Sequence, residues 1–176
     1  MTVCSTLKPV KKSQGWPNGC YELHDTKAPE RVWNQTGGRS NPWRKIPSIY
    51  LVEEVERLEQ QQRKKRRHVK GKCHNSLPPS PSSYNLRSTS PWTYRINVDE
   101  DRYPQKLAFA ECLCSGCIDL WSNRETLRMN SVLLEQSVLV LRRKPCPANP
   151  RLTSYELDHI MVPVGCTCLK PRMAYA

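Results

Sequence analysis

The arrangement of apolar and polar residues divides the chain near residue 75. Residues 1–47 are rich in proline, glycine, asparagine and charge and show no sustained periodicity, which is typical of irregular structure. The stretch IYLVEEVERLEQQQ (49–62) then places apolar residues on one helical face and glutamates on the other. We therefore predict an irregular N-terminal extension over 1–75 that contains one short helix at about 49–62.

After the proline-rich linker LPPSPSS (77–83), the pattern changes to that of β-strands. Apolar and polar residues alternate from Trp92 to Ile96, and SVLVLRR (137–143) is apolar and rich in β-branched residues. The run from Tyr155 to Leu169 again has apolar residues at alternate positions, and Pro163 within it indicates an edge strand or a bulge. We predict a small all-β domain over 76–176.

Two dense groups of cysteines lie within this β region, in CLCSGC (112–117) and VGCTC (164–168). Side chains two residues apart on a strand share a face, so Cys166 and Cys168 point to the same side. Only 38% of the chain is apolar, and 15 residues are proline, so a large apolar core is hard to assemble. Disulfides or bound metal would have to supply part of the stability. The remaining cysteines are Cys4, Cys20, Cys73 and Cys146.

Zinc ligation and disulfide bonding are the two alternatives for these cysteines. Structural zinc sites usually use two paired CxxC segments, whereas here only Cys114 and Cys117 have that spacing and the second group, Cys166 and Cys168, is CxC. A strand that carries CxC is better suited to two bonds with one neighbouring segment. Together with the sequon at Asn34, a glycosylation acceptor in a secreted chain, the spacing favours disulfides, no metal and no cofactor. The alternative is an intracellular zinc-binding protein associated with nucleic acid.

The formal net charge of +12 is concentrated in RKKRRHVKGK (63–72), which holds seven lysines and arginines. Such a run predicts weak, salt-sensitive binding to heparin or cell-surface polysaccharide. Aromatic residues do not interleave with it as stacking platforms would, so we expect no nucleic acid partner. A basic matrix or heparin-binding protein is the second alternative function.

Catalysis and membrane insertion have no support in the sequence. The four histidines are scattered, no acidic pair lies in a recognisable catalytic frame, and no glycine-rich phosphate loop is present, so we expect no enzyme activity. No stretch approaches the roughly 20 apolar residues that cross a bilayer. Residues 1–20 also lack the apolar centre of a signal peptide, so the expectation of secretion depends on the cysteines and on the resemblance described next.

The β region contains five recognisable motifs, in chain order RSTSPW (87–92), DEDRYP (99–104), MNSV (129–132), LVLRR (139–143) and VPVGCTC (162–168). With these motifs in this order, the chain resembles the interleukin-17 cytokine family. The resemblance is dense over 73–176 and loose over the first 72 residues. It implies a cystine-knot-like domain of two antiparallel strand pairs, secreted and assembled as a disulfide-supported homodimer.

The resemblance also implies specific disulfides, Cys112–Cys166 and Cys117–Cys168. The third bridge of a full cystine knot is missing in the family and serines occupy its positions, for which Ser90 and Ser131 are the candidates here.

A bond from Cys73 to Cys146 of the other protomer is the implied interchain link. The partner of Cys114 stays open between Cys146 and another copy of Cys114, and Cys4 and Cys20 remain unassigned.

The function implied by the resemblance is signalling through interleukin-17 receptor ectodomains, with receptor E and receptor A as the pair, in epithelial inflammation and defence. We take Trp92, Tyr94 and Tyr103 as candidate receptor contacts, because tryptophan and tyrosine are favoured at the energetic centres of interfaces. In a domain with a single phenylalanine the three aromatic residues could instead form the core, and for Trp92 we favour the core over a receptor contact.

Overall fold

The computed structural model describes residues 19–35, 46–64, 73 and 83–171. Within these ranges the chain forms three helices and seven strands, and none of the helices has the length and apolar character needed to span a membrane. The helices are α1 (Ala28–Gln35), α2 (Pro47–Lys64) and α3 (Tyr84–Arg87). The strands are β1 (Trp92–Val98), β2 (Arg102–Tyr103), β3 (Lys106–Cys112), β4 (Cys117–Ile118), β5 (Glu125–Thr126), β6 (Asn130–Cys146) and β7 (Asn149–Leu169).

The two longest strands, β6 and β7, form one antiparallel hairpin that dominates the domain. Short β2 pairs with β6 on the other side, so β7 is an edge strand of a three-stranded sheet. The register shifts where Leu134 pairs with Gly165 and Glu135 with Pro163, which leaves Val164 as an extra residue on β7. The bulge lies next to Pro163, which cannot donate a ladder hydrogen bond.

The second strand pair, β1 with β3, is antiparallel from Trp92 opposite Cys112 to Val98 opposite Lys106. It packs against the β6–β7 hairpin through a buried aliphatic cluster. The predicted all-β fold of two antiparallel strand pairs is therefore confirmed. The buried members of the cluster are Leu107, Val138, Val140 and Val162.

Helix α2 covers the β1–β3 pair. Val52 and Val55 are buried against Ala108. At the edge of this contact the Lys106 Nζ forms an ion pair with the Glu56 Oε1 at 2.6 Å. The helix predicted at 49–62 is present and extends two residues further at each end. Helix α1 was not predicted, and it buries Trp33.

Candidate functional site

Two disulfides tie the end of β7 to the segment between β3 and β4. Cys112 bonds Cys166 with a Cα separation of 5.9 Å, and Cys117 bonds Cys168 with a Cα separation of 6.0 Å. Both Cα distances lie in the ordinary range for disulfides. These are the two pairs that the family resemblance implies, and the shared face of Cys166 and Cys168 is what directs both bonds to one neighbouring segment.

A pair of serines lies beside these bonds. Ser90 is fully buried, and its Oγ is 2.5 Å from the Oγ of Ser131, which pairs with Cys168 in the β6–β7 register. The Ser90 backbone N–H donates to the hydroxyl of Ser88 at 3.1 Å. The two serines named as candidates for the missing third bridge are thus joined by a hydrogen bond.

We predict that Ser90→Ala destabilises the domain by about 1–3 kcal/mol, because it leaves the Ser131 hydroxyl next to an apolar methyl group. Ser131→Ala should cost a similar amount, and the double variant should cost clearly less than the sum of the two. Chemical denaturation of the three variants measures this coupling. Strictly additive costs would show that the hydroxyl contact contributes nothing of its own.

The other two disulfides correct the expected interchain link. Cys73 bonds Cys114, and Cys146 bonds Cys20 of the same chain across 126 residues of sequence. Both cysteines of the expected Cys73–Cys146 link are therefore paired within the chain in this structure, at Cα separations of 4.6 Å for Cys73 and 5.8 Å for Cys146. Cys114 takes neither of the two partners considered for it. Cys4 lies outside the described residues.

The Cys20–Cys146 bond is accompanied by a short backbone pairing. Tyr21 and Thr153 exchange two N–H to carbonyl hydrogen bonds of 2.8 Å, which add the N-terminal segment to the edge strand β7. The Tyr21 ring also lies 6.2 Å from the ring of Tyr155 and 5.5 Å below the guanidinium of Arg31. The segment before α1 is thus attached to the end of the β6–β7 hairpin.

One group of potential metal ligands exists among the described residues, formed by Cys73, Cys114 and Glu125 within 4.8 Å of one another. Both sulfurs belong to a disulfide, and the Glu125 carboxylate accepts the Gly116 backbone N–H at 2.7 Å. The disulfide and this hydrogen bond therefore stabilise the β4–β5 hairpin. In this oxidised chain its thiols are not available as zinc ligands.

The DEDRYP motif forms a tight turn fastened from inside by a buried guanidinium. Arg102 donates to the side-chain carbonyl of Asn97 at 2.8 Å and to the backbone carbonyl of Gln105 at 3.0 Å. Its charge also lies 5.9 Å from the centre of the Phe109 ring. Burial lowers the pKa of Arg102 from its usual value, and the nearby carboxylate of Asp99 opposes that effect.

Two ion pairs fasten the same turn to β6. Arg142 donates to Asp99 at 2.7 Å and Arg143 donates to Asp101 at 2.9 Å. Burial acts to raise the pKa of Asp99, but the hydrogen bond from Arg142 and other donors outweigh it, so the pKa is lowered. Asp99 is consequently ionised at neutral pH, and the acidic residues of the motif hold the turn in one position.

The aromatic residues named as receptor contacts lie mostly inside the domain. The ring of Trp92 packs against Gly165, where an added Cβ would approach it to 3.3 Å, and the Tyr94 hydroxyl donates to the carbonyl of Val164 at 3.1 Å. Helix α2 covers Tyr94. Tyr103 is half-buried. It lies beside a cavity of about 400 Å³ between the turn formed by the DEDRYP motif and the segment before α1. Their role in recognition stays a prediction.

The remaining named sites lie at the N-terminal side. Asn34 is exposed at the end of α1, and its glycosylation stays a prediction. The side chains of the basic run 63–72 lie outside the described residues. One exposed feature was missed by sequence reasoning, the turn between β4 and β5, although its Leu120-Trp121 pair stands out among polar turn residues.

Comparison with known proteins agrees with the motifs. A sequence model of the family described as Interleukin-17 matches residues 88–170. Interleukin-17C of Homo sapiens is 42% identical over 178 residues, covering 95% of this chain and 88% of that protein. Interleukin-17C of Mus musculus is 56% identical over 92 residues, covering 49% of this chain and 47% of that protein. Interleukin-17A of Sus scrofa is 46% identical over 93 residues, covering 52% of this chain and 57% of that protein.

The likeness to interleukin-17C is also expected from one long stretch of the sequence, DEDRYPQKLAFAECLCSGCID (99–119), together with Cys20 and Tyr21 far upstream. That expectation is confirmed, and the human relative extends it over nearly the whole chain. Since the motifs, the strand pairs and the matched relatives all agree, the chain belongs to the interleukin-17 family.

Proposed function

We propose that this chain is a secreted, dimeric ligand that binds interleukin-17 receptor ectodomains, with receptor E and receptor A as the pair, and thereby drives epithelial inflammatory and defence signalling. The observation that carries the proposal is the similarity to interleukin-17C over 95% of the chain. The four disulfides support the extracellular assignment, because such bonds persist in oxidising compartments.

An exposed apolar face supports the dimer. On β7, Leu157 and Met161 are 45% and 56% exposed, and they lie on either side of exposed His159. Residues two apart on a strand share a face, so the three side chains form one row. This row lies opposite the face that carries Val140 and Val162 into the core. Apolar rows of this kind on an ordered sheet are typical of protein interfaces.

The proposal is tested on the secreted full chain. Its mass in solution should be that of two copies, and it should bind immobilised ectodomains of receptor E and receptor A in surface plasmon resonance. Epithelial cells that express both receptors should respond to it, and cells that lack receptor E should not. A protein that is correctly bridged and dimeric but binds neither ectodomain would contradict the proposed function.

The dimer has its own control pair. Met161→Asp places a charge in the exposed row and should convert the dimer to a monomer, because an unpaired charge at an apolar interface is strongly unfavourable. Val98→Asp makes the same change at a side chain that is 59% exposed on β1 and should leave the mass unchanged. If both variants remain dimeric, the row on β7 is not the interface.

Weak heparin binding through 63–72 remains part of the proposal as a secondary, non-specific affinity. It is supported by the seven lysines and arginines of that run. Since such attraction depends on counterion release, it should disappear at high salt, whereas receptor binding should persist.

A further inference from the structure

The turn between β4 and β5 presents the most exposed large apolar side chain of the described residues. Trp121 is 97% exposed and Leu120 is 81% exposed, and both lie at the tip of a hairpin. Leu127, just after β5, is 74% exposed. Soluble proteins seldom place tryptophan in this position without a partner, since tryptophan is concentrated in cores and interface centres.

The turn is rigid, although its apolar residues contribute nothing to the core. The Asp119 carboxylate accepts the backbone N–H of Ser122 at 2.8 Å and its hydroxyl at 2.6 Å. The Asp119 backbone N–H donates to the carbonyl of Arg124 at 2.8 Å, and its carbonyl accepts the Asn123 N–H at 2.8 Å. Asn123 has a φ of 51°, a conformation that asparagine tolerates better than most residues.

The base of the turn is fixed as firmly as its tip. Cys117 is bonded to Cys168, Ile118 is buried, and the Ile118 backbone N–H donates to the carbonyl of Thr89 at 2.7 Å. Gly116 lies so close to the carbonyl of Thr126 that a Cβ there would come within 2.3 Å. These contacts restrict the loop in the free protein, so less conformational entropy remains to be lost when it binds.

We propose that Leu120 and Trp121 form a recognition knob that inserts into an apolar pocket of a receptor ectodomain. The inference rests on the proposed function, and it assigns part of the receptor contact to this turn. The knob is convex, so its partner must be concave. Interface hot spots typically consist of an aromatic anchor beside a second apolar side chain, on a preorganised loop with polar neighbours.

The charges at the tip favour a protein partner over a lipid surface. The hydrogen bond from the Ser122 hydroxyl lowers the pKa of Asp119, so a carboxylate is ionised within the turn itself at neutral pH. Asp119 and Glu125 balance Arg124 and Arg128, which leaves the hairpin without the basic excess that anionic membranes attract.

The test measures the affinity of the full-length protein for immobilised receptor E and receptor A ectodomains. Trp121→Ser should weaken binding to at least one of them by about 30-fold or more, as expected for a hot-spot residue. Asp119→Ala keeps the tryptophan but frees the loop, and it should weaken the same interaction by a smaller factor, mainly through faster dissociation. Tyr84→Ser removes an aromatic side chain that is 84% exposed on α3 and should change nothing.

The outcomes separate this inference from the proposed function. If the wild type binds a receptor and Trp121→Ser binds it equally well, the inference fails and the proposed function stands. If the wild type binds neither receptor, both fail. Two further measurements test other partners of the knob. Analytical ultracentrifugation detects binding to a second copy of the chain, and pelleting with phosphatidylcholine–phosphatidylserine vesicles detects binding to a lipid surface. A knob that acts only in self-association or only on vesicles, with unchanged receptor affinity, also overturns the inference.

Discussion

Replacing Cys166 with serine is expected to prevent the chain from accumulating as folded, secreted protein. The Cys112–Cys166 bond closes a loop with a sequence separation of 54 residues. In the chain-entropy treatment such a loop contributes about 4 kcal/mol. That is comparable to the whole stability of a small domain, which is about 5–15 kcal/mol. The substitution also leaves the Cys112 thiol free to mispair with the remaining cysteines.

Two matched variants separate these effects. The double variant Cys112→Ser/Cys166→Ser removes the bond without leaving a free thiol, so it should secrete better than Cys166→Ser but still unfold at lower denaturant concentration than the wild type. The Cys20→Ser/Cys146→Ser pair removes a bond outside the knot and should preserve the β fold. Secretion yield, non-reducing peptide mapping and denaturant titration measure all three. A Cys166→Ser protein with wild-type yield and stability would contradict the prediction.

The sequence predicts the knot disulfides but not the peripheral ones, for a physical reason. Cys166 and Cys168 are held on one face by the strand period, and the family motifs supply their partners. Cys20 lies 126 residues from Cys146, in a region without periodicity, and spacing alone cannot pair such cysteines. What places them together is the tertiary pairing of Tyr21 with Thr153 on the edge of β7.

The helices show the same difference between what the local sequence pattern predicts and what tertiary contacts decide. The period of apolar residues over 49–62 predicts α2, but it cannot say whether an isolated amphipathic helix docks or frays, since its stability comes from the surface it meets. Helix α1 has only eight residues, and its order depends on burying Trp33. The knob at Trp121 is invisible to a periodicity analysis, because its exposure follows from the turn geometry around Asp119.

Helix α2 provides the second large prediction, the double substitution Val52→Ser/Val55→Ser. Both valines are buried against Ala108, and Tyr94 and Ile96 pack at the edge of the same cluster. Removing their methyl groups and placing hydroxyls in this contact should lower the free energy of unfolding by about 3 kcal/mol or more in total. We expect the helix to detach from the β1–β3 pair before the disulfide-bonded strands unfold, because the knot bonds do not depend on it.

The control for this prediction lies on the same helix. Glu53→Ser/Glu59→Ser makes two substitutions on the exposed face of α2, with a small loss of helix propensity that is at least as large as that of Val→Ser and with no loss of packing. Hydrogen exchange separates the two variants more clearly than a melting curve. The amides of β3 (Lys106–Cys112) and of α2 should exchange faster in the valine variant, whereas those of β6 and β7 should stay protected. Equal exchange in the two variants would mean that α2 does not stabilise the strand pair in solution. Unequal exchange confined to α2 and β3 would instead show that the helix is an integral part of the cytokine domain, so that a fragment beginning after it would expose Tyr94 and Ile96.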